Sequence, residues 1–78
     1  MNAGYYISKW ILKLIKQEGN DGAVNVVASY IGVATAEKLV TAVAAKAGAT
    51  KICAIVGAKL GSLAGPVGTV LVGIGSAL

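Results

Sequence analysis

The sequence predicts an all-α protein, a compact bundle of four to five short helices in a single domain over residues 1–78. Three observations carry this prediction. Apolar residues recur at helical spacing along most of the chain, glycine-containing turns separate these stretches at short intervals, and the single valine-rich stretch has no partner strand. Short connections bring neighbouring helices together antiparallel or at sharp angles, which favours a globular bundle.

The composition indicates a lipid surface as the partner. The chain is 56% hydrophobic and only 13% charged, and its seven lysines against three acids give a net charge of +4. Nucleic-acid-binding proteins usually carry a denser basic stripe with arginine and stacking aromatics, so we expect no nucleic-acid partner. Without histidine and with few acids, we expect no catalytic residue, no metal site, no cofactor and no enzymatic activity.

The first predicted helix covers Tyr5–Gln17, and its lysines share one face: Lys9, Lys13 and Lys16. The opposite face is apolar and consists of Ile7, Trp10, Ile11, Leu14 and Ile15. Tyr5, Tyr6 and Trp10 are amphipathic rings of the kind found at headgroup level, so the helix could lie in a membrane interface. The alternative is a surface helix of a small bundle, with the lysines in water and Trp10 in the core.

A turn over Glu18–Gly22 is predicted to follow, with Gly19 ending the first helix and Asn20 or Asp21 capping the next. Residues 23–33 are rich in valine and alone would suit a strand. Their apolar side chains nevertheless keep helical spacing, so we predict a helix that Gly32 bends or ends.

The third predicted helix is capped by Thr35, runs through Ala47 and is closed by Gly48. Glu37 in its first turn and Lys46 in its last would suit the helix dipole. Its expected buried positions are Ala36, Leu39, Val40, Val43 and Ala47, and its expected exposed positions are Lys38, Thr41 and Ala45.

The next predicted helix starts after a Thr50 cap and runs from Lys51 to Leu63 or Ala64, exposing Lys51 and Lys59. On one α-helix, Gly57, Gly61 and Gly65 would form a strip without side chains, against which a neighbouring helix packs closely. Gly65-Pro66 is expected to break the chain before a last apolar helix over residues 67–77. No ionisable side chain follows Lys59. Cys53 is the only cysteine and therefore forms no internal disulfide. We expect it to be a packing residue, because free cysteine is among the most commonly buried residue types.

Residues 30–48, YIGVATAEKLVTAVAAKAG, followed by an aliphatic stretch around Ile52 and Ile55, resemble the first helices of the circular bacteriocins, the family that includes carnocyclin and uberolysin. The resemblance implies a saposin-like bundle of four or five helices that is cationic and permeabilises membranes of Gram-positive bacteria. It also implies membrane contacts at four lysines, namely Lys38, Lys46, Lys51 and Lys59.

The basic, Trp-bearing last helix of that family resembles Tyr5–Lys16, which stands first here, as in a circular permutation of the family pattern. Cys53 and Met1 depart from the pattern, and we expect a linear chain. Because no ordinary secretory signal opens the sequence, we expect secretion through a dedicated exporter or by release.

Together these features predict a secreted antimicrobial bacteriocin that permeabilises the target-cell membrane. Its lysines would attract it to anionic bacterial lipids, and its apolar helices would then insert, with self-association. A pilin-like subunit of a conjugation or secretion filament is the alternative, with long helices over residues 23–47 and 50–78. A holin or an immunity-type membrane protein is a third hypothesis.

Overall fold

A computed structural model describes residues 2–67 of the chain. Its elements are α1 (Asn2–Ile31), α2 (Val33–Ala44), α3 (Ala49–Val56), a 3-10 helix (Gly57–Leu63) and α4 (Ala64–Val67). These residues contain no strand, so the prediction of an all-α bundle is confirmed. Apart from Val67, the predicted last helix over residues 67–77 lies outside the described residues.

Helix α1 folds back on itself at Gly19. As a straight rod its 30 residues would measure about 45 Å, whereas the longest dimension of the structure is 33 Å. Gly19 adopts φ 76° and ψ 175°, a backbone conformation almost restricted to glycine. Residues 2–18, the first arm, therefore run back against residues 20–31, the second arm. The predicted break at Gly19 is confirmed.

Two details of this region differ from the predictions. Helix α1 begins at Asn2 rather than at Tyr5, and the expected turn over Glu18–Gly22 is wrong. Only Gly19 leaves the helical conformation there, because one residue in this unusual conformation is enough to reverse the chain. The valine-rich residues that follow form the second arm, so the prediction of a helix rather than a strand is confirmed.

Helix α2 begins earlier than the sequence indicated. Gly32, at φ 88° and ψ 155°, occupies its N-cap position, and no side chain caps the helix by a hydrogen bond. The expected cap at Thr35 is wrong, because this residue lies inside the helix. Glu37 consequently falls beyond the first turn. The predicted buried face is largely confirmed: Ala36, Leu39, Val40 and Val43 are buried, Ala42 joins them, and Ala47 is only half-buried.

The C-terminus of α2 is closed by Lys46 and not by Gly48. Lys46 has a left-handed φ of 62° and lies after the helix rather than in its last turn. The Lys46 N–H donates to the Val43 carbonyl and the Ala47 N–H to the Ala42 carbonyl, the two bonds of a Schellman motif. Gly48 instead precedes α3 as its N-cap, so the predictions of a closing Gly48 and a Thr50 cap are both wrong.

The predicted single helix from Lys51 to residue 63 or 64 is also wrong. Helix α3 ends at Val56, and Gly57 turns the chain into the 3-10 helix with φ 54° and ψ −130°. Gly65 and Pro66 lie inside the short helix α4 and do not break the chain there. Pro66 fits because it occupies the first turn of α4, where a missing N–H leaves no helical hydrogen bond unmade.

Each major element contributes to one apolar core. The largest side chains that are fully buried are Ile7, Ile11, Val27, Leu39, Ile52 and Leu63. They come from both arms of α1, from α2, from α3 and from the 3-10 helix. The core therefore depends on all of these elements being folded together, and it leaves the lysine-bearing face of α1 outside.

Candidate membrane-binding surface

The outward face of the first arm combines lysines with an exposed leucine. Lys9, Lys13 and Lys16 are exposed, as the sequence predicted. They line a shallow groove together with Leu12, whose side chain remains 42% exposed. Helical spacing explains the arrangement, because Leu12 lies three residues from Lys9 and four from Lys16. A cationic rim around an apolar side chain is suited to the headgroup region of an anionic bilayer.

Tyr5 extends this surface towards the N-terminus. Its side chain is 54% exposed, and the Lys9 ammonium lies 5.4 Å from the centre of its ring. Tyr6 is half-buried and meets Tyr5 edge to face, with ring centres 5.4 Å apart. The tyrosine pair and the lysine groove form one surface, which we call the basic face of α1: Tyr5, Lys9, Leu12, Lys13 and Lys16.

The apolar face of α1 is directed inwards, which favours the bundle alternative for this helix. Ile7 and Ile11 are fully buried. Trp10 is half-buried and packs against the core and against Tyr30, with ring centres 6.0 Å apart at 74°. In the folded bundle Trp10 is therefore engaged inside the protein, and the surface that α1 offers to a membrane is its basic face.

The remaining predicted lysines are distributed over the other elements. Lys38, Lys46 and Lys51 are exposed, and Lys38 and Lys51 flank an open groove between α2 and α3 that contains Ile55. This second basic region is spread over two helices and includes Glu37. The structure does not bring these three lysines together with the basic face of α1 into one groove.

Lys59 has a structural contact that the sequence did not reveal. Its ammonium donates hydrogen bonds to the Ile31 carbonyl at 2.9 Å and to the Thr35 hydroxyl at 3.2 Å. It thereby connects the 3-10 helix to the junction of α1 and α2. Although its side chain is exposed, as predicted, its charged end is occupied within the protein.

The three glycines predicted to pack do not form a strip. In a 3-10 helix residues four apart point about 120° away from one another, so Gly57 and Gly61 lose the common face of an α-helix. Within the described residues 2–67, a Cβ added at Gly57, Gly61 or Gly65 would meet no atom within 4 Å. The prediction of one strip on one α-helix is therefore wrong. Packing of these glycines inside the bundle, against another copy or in lipid stays a prediction.

Negative charge lies elsewhere on the surface. Asp21 and Glu37 line a groove between the second arm of α1 and α2, together with Asn20 and Asn25. No acid lines the groove on the basic face of α1. Within residues 2–67, no three potential metal ligands among His, Cys, Asp and Glu come together. Cys53 is half-buried and its thiol is free.

The long helices that a pilin-like subunit requires are interrupted. Gly32 separates α1 from α2 inside the expected helix over residues 23–47, and Gly57 ends α3 inside the one over residues 50–78. This part of the alternative is wrong as far as residue 67. None of the helices described for residues 2–67 combines the length and the apolar character needed to span a bilayer.

Two residues of the site and its support were missed from the sequence. Leu12 lies outside the predicted apolar stripe of the first helix, although helical spacing places it among the three lysines. Gly4 is a close-approach glycine, since an added Cβ would collide with the Ala49 carbonyl oxygen. No local signal identifies Gly4, because the contact joins α1 to α3 across the fold.

The fold and surface together define a small all-α bundle with a cationic, leucine-bearing helical face. Comparison of the chain with protein families, curated proteins and solved structures finds no match.

Proposed function

We propose that the protein is a cationic antimicrobial bacteriocin that permeabilises anionic bacterial membranes from outside the target cell. The observation that carries this proposal is the basic face of α1, where three lysines surround the exposed side chain of Leu12. The resemblance of residues 30–48 to circular bacteriocins supports the same function from the sequence.

Electrostatic attraction supplies the first step. A lysine close to an anionic membrane surface contributes about 1 kcal/mol. Lys9, Lys13 and Lys16 contribute together because they share one face of a single arm. The acids Asp21 and Glu37 line a different groove, so their repulsion by anionic lipid is weak when the basic face of α1 points to the membrane. The protein therefore approaches the bilayer with the first arm of α1.

Insertion follows in two stages. Leu12 and Tyr5 are already exposed and enter the headgroup region without any change of fold. Deeper insertion requires the helices to separate, because Ile7, Ile11 and Ile52 are fully buried in the folded bundle. The bilayer then replaces the core as the apolar environment for these side chains, and the disturbed headgroup layer leaks ions.

The apolar C-terminal region takes part in the second stage. Helix α3 and the 3-10 helix carry Lys51 and Lys59 as their charged residues, and no ionisable residue follows. A continuous span needs about 20 apolar residues in a helix, and the structure interrupts this region at Gly57. We therefore propose shallow or hairpin insertion by several copies and not a single transmembrane helix.

Dye release from vesicles tests the function directly. Vesicles of phosphatidylcholine alone and vesicles containing phosphatidylglycerol are loaded with a self-quenched dye and mixed with the folded protein. We expect leakage from the anionic vesicles at micromolar protein and much less from the zwitterionic ones. Growth inhibition of Gram-positive bacteria, with loss of membrane potential, is the cellular counterpart. Silence on both kinds of vesicle at micromolar protein would overturn the proposal.

A further inference from the structure

The 3-10 helix over Gly57–Leu63 is an unusual element for a chain that is otherwise α-helical. Runs of 3-10 helix longer than three or four residues are uncommon because their hydrogen bonds are poorly aligned, and this one has seven residues. It also starts at Gly57, whose φ of 54° and ψ of −130° are unfavourable for any residue with a side chain. Glycine adopts this conformation readily, so it is the long 3-10 run that has to be stabilised by tertiary contacts.

Two kinds of contact stabilise this run. The Lys59 ammonium donates to the Ile31 carbonyl at 2.9 Å and to the Thr35 hydroxyl at 3.2 Å. Ile31 is the last residue of α1, where helix carbonyls lack intrahelical partners and the helix dipole favours a cation. Leu63 is fully buried in the core, and the partly buried Leu60 packs against the core. The hydrogen bonds of Lys59 and the apolar contacts of Leu60 and Leu63 thus hold the segment in place.

Within residues 2–67, the glycines of the segment are loosely surrounded. An added Cβ at Gly57 or Gly61 would meet nothing within 4 Å there, so no close backbone packing by this part of the chain fixes either glycine. Gly57 is also free to adopt the α-helical φ, since glycine populates both signs of φ readily. Release of Lys59 would therefore remove the specific polar contact that keeps this segment against the end of α1.

We propose that Gly57–Leu63 is a strap that Lys59 holds in the soluble bundle and that an anionic bilayer releases. A lipid phosphate replaces the Ile31 carbonyl and the Thr35 hydroxyl as the partner of the ammonium, and the strap rewinds as an α-helix continuous with α3. This inference rests on the proposed membrane function and names the segment that regulates it.

The rewound helix has the properties that an interfacial helix needs. From Ala49 to Ala64 it would measure about 24 Å at 1.5 Å per residue, and it would end there because Pro66 cannot lie in a helix interior. With about 100° per residue, Gly57 and Gly61 would share one face, and Lys59 would lie about 180° from its centre. The cation then faces the headgroups while the glycines face a neighbouring helix, a packing that residues 2–67 of the folded bundle do not make.

A pair of matched charge deletions tests the strap. Lys59→Met and Lys51→Met each remove one cation, but only Lys59 makes the two hydrogen bonds described above. If lysines act by attraction alone, both variants need the same higher protein concentration for half-maximal leakage. If Lys59 holds the strap, Lys59→Met should reach half-maximal leakage at about tenfold lower protein concentration than Lys51→Met. The strap of this variant is no longer held by the two hydrogen bonds, and a hydrogen bond to a charged group contributes a free energy that corresponds to about this factor.

A distance measurement keeps the test valid if Lys59→Met folds poorly. Spin labels at Val33→Cys and Ser62→Cys, in a Cys53→Ser background, report the separation of the strap from the start of α2 with Lys59 intact. Both labelled positions are exposed. On vesicles containing phosphatidylglycerol, we expect the separation to increase by on the order of 10 Å, the spacing of adjacent helices.

The outcomes separate the two proposals. Equal leakage by the two lysine variants, or an unchanged label distance on vesicles that do leak, overturns the strap and leaves the membrane function standing. Wild-type protein that releases no dye from either kind of vesicle overturns the proposed function and the strap with it. A tenfold advantage of Lys59→Met over Lys51→Met, or a longer label distance on leaking vesicles, supports the strap.

Discussion

The rings of Trp10 and Tyr30 meet edge to face, with their centres 6.0 Å apart, and join the two arms of α1 across the reversal at Gly19. This contact sets the position of the tryptophan that the sequence assigned to the membrane interface. Such a pair contributes about 0.5–1.5 kcal/mol beyond the burial of its area. Because Trp10 is half-buried, full contact of its ring with lipid requires the two arms to separate at this end.

The first prediction uses Trp10 as a natural reporter, since the chain contains no other tryptophan. Mixing the protein with vesicles that contain phosphatidylglycerol should shift Trp10 emission to shorter wavelength and expose it to quenching by brominated acyl chains. Vesicles of phosphatidylcholine alone are the control and should change neither signal. Leakage without quenching would show that the arms stay together while the membrane is permeabilised.

The second prediction compares two sets of lysines at equal net charge. Replacing Lys9, Lys13 and Lys16 by glutamine lowers the net charge from +4 to +1, and so does replacing Lys38, Lys46 and Lys51. The first set shares the basic face of α1, whereas the second is distributed over α2, its C-terminal cap and α3. We expect the first triple variant to bind anionic vesicles about a hundredfold more weakly, at about 1 kcal/mol per lysine.

The second triple variant should lose much less affinity, because its lysines are spread over two helices and Lys38 and Lys51 share their groove with Glu37. Vesicle co-sedimentation at fixed salt measures both, and circular dichroism checks that each variant is folded. Equal losses would mean that net charge alone governs binding and that the basic face of α1 has no special role.

The third prediction concerns the exposed leucine among those lysines. Leu12→Gln removes the apolar side chain that is already 42% exposed, without changing any charge. We expect affinity for anionic vesicles to fall about fivefold, since inserting part of a leucine side chain contributes about 1 kcal/mol. Val33→Gln is the matched control, because Val33 is 60% exposed but lies outside the lysine groove.

Folding should be little affected in either variant, as both side chains are exposed. If Val33→Gln weakens vesicle binding as much as Leu12→Gln, the site of insertion is not the basic face of α1 but apolar surface in general.

Much of the fold was predictable because it depends on local signals. The spacing of Leu39, Val40 and Val43 identified the buried side of α2, and this periodicity holds wherever a helix has one face in a core. Gly19 and Gly32 were identified as breaks, and both adopt positive φ values that other residues avoid. Helical periodicity also explains why the sequence correctly predicted that Lys9, Lys13 and Lys16 share one exposed face.

The errors arise where a tertiary contact overrides a local preference. Thr35 is a good N-cap residue by type, but it lies inside α2, and its hydroxyl accepts a hydrogen bond from Lys59 of the distant 3-10 helix. Lys46 adopts the left-handed conformation that Gly48 was expected to supply, because the hydrogen bonds at the end of α2 require it two residues earlier. The predicted glycine strip requires an unbroken α-helix, but the chain leaves the α-helical conformation at Gly57.

The last prediction compares Gly4, where the structure leaves no room for a side chain, with Gly61, which the sequence analysis emphasised. At Gly4 an added Cβ would collide with the backbone carbonyl of Ala49, and backbone cannot move aside as a flexible side chain would. Gly4→Ala must therefore push α1 away from the start of α3. At Gly61 an added Cβ meets nothing within 4 Å among residues 2–67, and the φ of Gly61 is not positive.

We expect Gly4→Ala to lower the free energy of unfolding by about 2–3 kcal/mol, the range for overpacking a well-packed site. Gly61→Ala should raise it by up to about 1 kcal/mol through loss of backbone entropy in the unfolded chain. In a domain of this size the difference corresponds to about 10–30 °C in Tm, well within the resolution of thermal unfolding followed by circular dichroism. Equal melting temperatures would contradict the close approach of α1 to α3, whereas a destabilised Gly61→Ala protein would indicate close packing around the strap.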